Sequence, residues 1–441
     1  MASTSFDTIA LSRRMLLRQG GLLAGSAALA AGAFPRRLLA QTAGTGAHWP
    51  HVSALIDSYV DPRKLANMVA VMGWKTQAPL VIAKGTLAIG QDTRAGIDSL
   101  YRMYSMTKPI TGMAAMMLID EGKMGLDQPL YEILPAFRNM QVQKVYDGPV
   151  TPDNLEPAAR PITLRMLLTH TAGLGYTIIQ KGPIKDLYEA RGLVPGQVSN
   201  LPLPDLGNAR PVTGLANFAD ALAKVPLVLQ PGSKWSYSVG LDLMGRVIEV
   251  VSGMPFAEFL RSRIFEPCGM TSSGFQVPAK DVGRLTTNYA VVGGTLFPID
   301  PAASSIFLDK PAFPFGGAGL VSSPRDYDRF LEMLLNYGLI DGKRVMSERA
   351  VRVGTSNLLP ATASTKGTWV DGQGFGAGGR VSDGAYGWAG AAGTIAFVSF
   401  KAGLRAGMYT QYMPSDAYPV HSAFPEAVLK DLAAMAMKQA A

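Results

Sequence analysis

The apolar positions of this chain change period along its length. Near both ends they form short β-type runs. Asn67 to Trp74 and Pro79 to Ile89, separated by the polar turn Lys75-Thr76-Gln77, predict a hairpin. Gly384 to Ala389, Thr394 to Phe400 and Leu404 to Tyr412 predict successive antiparallel strands joined by short turns. In the middle the period is helical. Ile110, Met113, Ala114, Met117 and Leu118 recur every three or four residues and predict a helix from 106 to about 122. Leu243, Val247 and Val250 do the same for 240–252, and a second helix follows over about 255–264. Further helices are expected at 50–61, at 324–337, and from Pro425 to about Lys438. Thr163 is placed to cap a short helix through Leu167 and Leu168 that ends at glycine.

Two stretches resist such a reading. Residues 175–230 carry many prolines and glycines among apolar residues such as Tyr176, Ile178, Leu187 and Tyr188, and are expected to form a lid or pocket wall. Residues 280–315 look like loop. Gly316-Gly317-Ala318-Gly319 invites a phosphate-loop interpretation, but no Gly-Lys-Ser/Thr follows, so a tight turn is expected. Strands at both ends with helices between them point to an α+β chain. One antiparallel sheet flanked by helices is expected from 41–125 and 315–441, with 126–314 inserted as a mostly helical lobe carrying pocket loops.

Composition alters this picture mainly at the N-terminus. The chain has 441 residues, 48% hydrophobic and 17% charged, as an ordinary globular protein does. Its net charge of +8 is concentrated early. Residues 1–40 hold five arginines against Asp7, and the remainder has 36 basic and 32 acidic residues, a balance of +4. No basic cluster there suggests a nucleic-acid surface. Ser12-Arg13-Arg14-Met15-Leu16-Leu17 precedes an Ala- and Gly-rich apolar stretch from Gly21 to Phe34. This resembles a twin-arginine export signal, with cleavage after Ala40 or at the small residues near Ala31 and Ala33, so 1–40 is expected to be a signal peptide and the mature protein periplasmic; an uncleaved anchor is the alternative. The apolar stretch is short for a membrane span, and nothing later looks like one. Cys268 is the only cysteine, which rules out an internal disulfide; it is expected to be a buried packing residue. The four histidines show no metal-ligand spacing, so no metal is expected.

The chemistry concentrates in Tyr104-Ser105-Met106-Thr107-Lys108-Pro109. Ser105 and Lys108 stand three residues apart at a helix start, on one helix face. Pro109 falls in the first turn, where a missing N–H costs little. A free lysine amine titrates near about 10.4, too high for a base at neutral pH. The positive end of a helix and burial both disfavour an ammonium. A neutral lysine beside a serine is a general base beside a nucleophile. Ser-x-x-Lys occurs once in the chain, yet alone it also fits a helix cap with a solvated lysine.

Other stretches decide between these. Ser105-Met106-Thr107-Lys108, Ile162 to Leu174, Pro231-Gly232 with Trp235-Ser236-Tyr237-Ser238, Ile264 to Met270, Gly317 to Tyr327, and Gly387 to Gly393 occur in an order that resembles the serine β-lactamase and penicillin-binding-protein fold. Within it the chain is most similar to the class C β-lactamase-like branch and its type VIII esterases. The resemblance implies an antiparallel sheet with flanking helices, an all-helical lobe, and a site between them. It implies Ser105 as the acylated nucleophile, Lys108 as its activating partner and Tyr237 as a proton shuttle. It aligns Trp388-Ala389-Gly390 with the third motif and places the oxyanion hole at the backbone N–H groups of Ser105 and Ala391. One such donor is worth roughly 3–4 kcal/mol in the transition state.

The chain departs from β-lactamases twice. Val239 stands where an asparagine of the second motif is expected, and Trp388 where the third motif has lysine. Losing that lysine removes a charge-assisted hydrogen bond to a substrate carboxylate, about 1.5–3 kcal/mol. Val239 and Trp388 therefore make the pocket, to which Gly390 of the third motif also belongs, less polar and less cationic, suited to a neutral small-molecule ester; no metal or organic cofactor is needed. A β-lactamase or D,D-peptidase with altered motifs, and a non-catalytic sensor on the same fold, are the alternatives. The α/β-hydrolase reading needs a Gly-x-Ser-x-Gly elbow, which the chain lacks; the nearest miss is Ser236-Tyr237-Ser238-Val239-Gly240. His170, the remaining candidate base, lies in a stretch that is a structural turn in the resembled family.

Overall fold

A computed structural model describes residues 49–201 and 209–440; the expected signal peptide lies outside them. Seven strands form the central sheet. In chain order they are β1 (Asn67–Trp74), β2 (Leu80–Gly85), β3 (Gly374–Phe375), β4 (Arg380–Ser382), β5 (Ala385–Ala389), β6 (Ile395–Ser399) and β7 (Leu404–Tyr409). Their spatial order is β3-β4-β5-β6-β7-β1-β2, with every pairing antiparallel. The two ends of the chain therefore meet in mid-sheet, where Val69 lies opposite Tyr409.

The residues of β1 explain its place. All eight are buried, so its run is apolar without polar alternation. Met68, Ala70 and Met72 pack with helices α1 (Pro50–Val60) and α5 (Val420–Ala440), whereas Val69 and Val71 face the main core. This is the two-residue side-chain period of a strand covered on both faces. Arg405 of β7, fully buried, lies over Gly73, bonds the carbonyls of Lys75 and Gln77, and pairs with Asp328 at 2.8 Å. Asp328 belongs to α4 (Pro324–Leu335), which packs on this face of the sheet.

The helix α2 (Thr107–Asp120) runs beneath the sheet and is buried on every side from Thr107 to Leu118. The periodic residues mark one face, and the small ones, Gly112, Ala114 and Ala115, let neighbours close on the others. At Gly112 a β-carbon would stand 2.0 Å from the Ala377 carbonyl oxygen, so the chain beside β3 could not approach any larger residue. The helix α3 (Gly240–Ser252) packs on α2.

Several expectations are corrected. Residues 280–315 are not mere loop. Asn288–Val292 and Thr295–Asp300 form a hairpin whose two-residue turn, Gly293-Gly294, has φ of 57° and 81°. That turn needs positive φ at both positions, a preference glycine meets and larger residues resist. Helices Gly182–Ala190 and Leu215–Leu222 interrupt the segment read as irregular. The C-terminal helix begins at Val420 with Pro425 inside it, not at its start. Val250 is 42% exposed and lies off the buried face of α3 that Leu243 and Val247 form. Cys268 is buried as expected, and burial pushes its thiol up to about 12.

Candidate active site

Ser105 lies in a tight turn, Tyr104–Met106, that feeds α2. A short strand before it, Tyr101–Arg102, pairs with Val321–Ser322 and fixes where the turn starts. Tyr104 holds a left-handed backbone, φ 44°, which costs a non-glycine residue about 1–2 kcal/mol. Its surroundings hold it there. Thr107 donates to the Tyr104 carbonyl at 2.6 Å, and the buried Tyr104 ring meets Phe307 edge-on. Backbone strain beside a reactive group is a recurrent device for aiming it.

Lys108, one helical turn on, is completely buried. Its Nζ lies 3.1 Å from Ser105 Oγ and donates to the Gly317 carbonyl at 2.7 Å. It also sits over the Tyr237 ring, 4.5 Å from the centroid. Tyr237 lies three residues ahead of α3, and its Oη lies 2.7 Å from Ser105 Oγ. Lys108 and Tyr237 are the side-chain hydrogen-bond partners of Ser105 Oγ among the described residues. Trp388, at the inner end of β5, donates its Nε1–H to Tyr237 Oη at 3.2 Å. The tryptophan thus occupies its expected place and makes a specific contact there.

The remaining expected residues are placed differently from one another. Gly390 packs against the Met103 carbonyl, where a β-carbon would stand 2.4 Å from the oxygen, so the strand end lies directly beside the serine turn. Ala391 follows it and is partly buried in a cluster with Tyr104. Val239 is wholly buried in the core behind Tyr237, so it backs the site without facing solvent.

Four further residues shape the site; sequence did not single out Asp242 or Arg380, and it gave His170 and Gly317 other readings. His170 holds the Tyr237 segment. Its carbonyl accepts from Ser236 N–H at 2.9 Å, its Nδ1 accepts from Ser238 N–H at 3.2 Å, and its ring lies 4.8 Å from that of Tyr237. Nδ1 as acceptor leaves the ring proton on Nε2. Burial, then the Lys108 charge, holds this imidazole well below its usual pKa, so it is neutral. It positions Tyr237 and does not touch Ser105. Asp242 and Gly317 buttress Lys108 from below: Gly317 N–H donates to Asp242 Oδ1 at 2.8 Å. The glycine-rich segment is a turn, as expected, but its carbonyl has a place in the site. Arg380 of β4 is partly buried beside Trp388, its guanidinium 5.2 Å from the ring, and donates to the Trp369 carbonyl. Burial lowers its pKa to about 10, so it stays cationic at neutral pH. Its positive charge lies against the Trp388 ring.

The walls are aromatic. Tyr176, Trp235, Trp369 and Trp388 all lie with ring centroids 5.0–6.0 Å from that of Tyr237. The arrangement is a hydroxyl nucleophile with an amine and a phenol at hydrogen-bond distance in a largely apolar setting. It is equipped for acyl transfer.

A family model described as Beta-lactamase matches residues 53–425, most of the chain. The chain belongs to the Beta-lactamase family. Esterase EstB of Burkholderia gladioli is 30% identical over 302 residues, covering 64% of this chain and 69% of that protein. An uncharacterised protein of Mycobacterium tuberculosis is 35% identical over 273 residues, 61% of this chain and 63% of the relative, so the chain spans just under two thirds of that relative's length. Among solved structures, EstCE1, described as a hydrolase with promiscuous acyltransferase activity, superposes with a TM-score of 0.69 at 25% identity over 86% of this chain and 98% of that one. In this member of the family the mixed α/β fold is the one expected. Among the described residues no helix is long and apolar enough to cross a membrane.

Proposed function

We propose that this protein is a serine hydrolase that cleaves carboxylic esters of small molecules through an acyl-enzyme on Ser105. One observation carries the reading: Lys108 Nζ and Tyr237 Oη converge on Ser105 Oγ at 3.1 and 2.7 Å. The esterase name of EstB and the hydrolase description of EstCE1 support it.

In this mechanism Ser105 Oγ attacks the ester carbonyl carbon and passes its proton to the Lys108–Tyr237 pair. The oxyanion is held by the N–H groups of Ser105 and Ala391. The tetrahedral adduct collapses, the C–O bond to the alcohol breaks, and the pair returns the proton to the leaving oxygen. Water then adds to the acyl carbon, loses a proton to the same pair, and releases the acid as Ser105 recovers its own. Trp388 contributes by fixing Tyr237 Oη with its indole N–H. It also replaces an aliphatic cation with a flat apolar surface, which favours a neutral ester over a β-lactam or D-alanyl peptide carrying a free carboxylate.

The test pairs a short-chain p-nitrophenyl ester with a chromogenic cephalosporin, with Ser105→Ala as control. Ester turnover that exceeds cephalosporin turnover, both absent in the variant, is the expected result; the reverse ranking would move the protein to the β-lactamases. The same reading includes export to the periplasm by the twin-arginine route, supported by Arg13-Arg14 ahead of the apolar stretch. Replacing both arginines with lysine is expected to leave the protein in the cytoplasmic fraction of an expressing bacterium; unchanged export would exclude that route.

A further inference from the structure

The mechanism above uses three side chains and leaves a buried carboxylate unexplained. Asp242 is 1% exposed and lies in the first turn of α3, five residues after Tyr237. Its Oδ1 accepts the Gly317 N–H at 2.8 Å, and the carbonyl of the same Gly317 accepts from Lys108 Nζ at 2.7 Å. Its Oδ2 is buried with no hydrogen-bond partner among the described residues. An unpaired buried carboxylate oxygen is expensive, and a fold retains one where it serves the site.

The turn around Gly317 is gripped from two elements. From α2, Thr111 Oγ1 donates to the Gly316 carbonyl at 2.7 Å, one helical turn beyond Lys108. From α3, Asp242 holds the next N–H. A β-carbon at 317 would stand 2.6 Å from Asp242 Oδ2, so only glycine lets the carboxylate come this close. Lys108 has a long flexible stem, and a butyl-amine in a buried slot aims at its serine only if its other partner is fixed. The Gly317 carbonyl is that partner, and Asp242 is what anchors it from α3.

We propose that Asp242 is a positioning residue of the acyl-transfer site: through the Gly317 backbone it holds the Lys108 amine against Ser105. The assignment rests on the esterase reading above. It does not touch substrate and acts entirely through Lys108. Because Tyr237 precedes α3 by three residues and Asp242 lies in its first turn, one segment delivers both the phenol and the anchor of the amine.

Asp242→Ala removes the anchor, and Asp242→Asn keeps an oxygen that can accept from Gly317. A misplacement on the order of 1 Å at the reacting groups costs about 100-fold. Asp242→Ala is therefore expected to lose about 100-fold in kcat for a p-nitrophenyl ester with KM little changed. The rate of Ser105 phosphonylation by a fluorophosphonate, read by intact mass, is expected to fall in parallel. Asp242→Asn is expected to recover most of both. The asparagine variant, near-isosteric, keeps the test open if the alanine variant does not fold. Asp242→Ala with wild-type-like kcat and labelling would overturn the assignment. So would Asn and Ala variants that are equally slow, since the hydrogen bond to Gly317 would then not be the operative contact. Ester turnover that survives in Ser105→Ala would instead remove the esterase reading and this assignment with it.

Discussion

Tyr237→Phe separates catalysis from stability at one atom. The substitution keeps the ring, and with it the packing against His170, Trp369 and Trp388 at centroid distances of 4.8, 5.0 and 5.8 Å. It deletes Oη, which lies 2.7 Å from Ser105 Oγ and accepts from Trp388 Nε1 at 3.2 Å. Loss of a proton-transfer group costs about 100- to 10,000-fold in rate, or about 3–5 kcal/mol of barrier. Loss of the acceptor also leaves the buried indole N–H unpaired, about 1–3 kcal/mol of stability. The two costs are read by different measurements: kcat and fluorophosphonate labelling for the first, urea or thermal midpoints for the second. Adding Trp388→Phe to Tyr237→Phe removes the orphaned donor, so the second substitution should destabilise less in the variant than in the wild type. Tyr237→Phe that retains kcat within about threefold would refute its place in the proton relay. Strictly additive stability changes would refute the indole–phenol bond.

Other consequences follow from the same geometry. Lys108→Ala should lose several orders of magnitude in kcat, about as much as Ser105→Ala, because residues acting as a unit are not additive; a kcat near wild type would remove the amine from the mechanism. Trp388→Lys should raise cephalosporin turnover relative to ester turnover, and no gain in that ratio would mean that the replaced lysine does not set substrate choice. Asp242→Asn should stabilise the fold at alkaline pH. Burial raises the Asp242 carboxyl from 3.8 to about 6, against the opposing pull of Lys108. The folded protein thus holds that proton more tightly than the unfolded chain. Its contribution is fully present below pH 3.8 and is lost as pH rises through about 6, a swing of about 3 kcal/mol. The melting advantage of Asp242→Asn at pH 8 should therefore shrink as pH falls towards 4; an advantage independent of pH would show that the carboxylate is not strained by burial.

Much of this protein was legible in its sequence because the deciding forces are local. The α2 and α3 helices, the β1–β2 hairpin and the β5–β6–β7 meander follow from side-chain period and turn residues. Ser105 and Lys108 are paired by helical spacing alone. Thr163 caps its helix through the Met166 N–H as its residue type implies. The hairpin at 288–300 had a local signal too, in Gly293-Gly294 between two β-branched runs, and was missed. Tyr237 was found only through its resemblance to a family pattern, since a tyrosine by itself reads as a packed aromatic.

Tertiary structure alone decided the rest. Asp242, Gly317, His170 and Arg380 carry no local pattern that distinguishes them from a helix acid, a turn glycine, a core histidine and a strand cation. Their roles arise where elements far apart in the chain are forced together by burial: α3 against α2, the 316–319 turn between them, and β4 beside Trp388. The residue types that perform acyl transfer were written in short stretches of sequence. Which lysine partner is fixed, which imidazole is neutral and where a buried charge stands were set by desolvation and close packing, which act across the fold and leave no period in the chain.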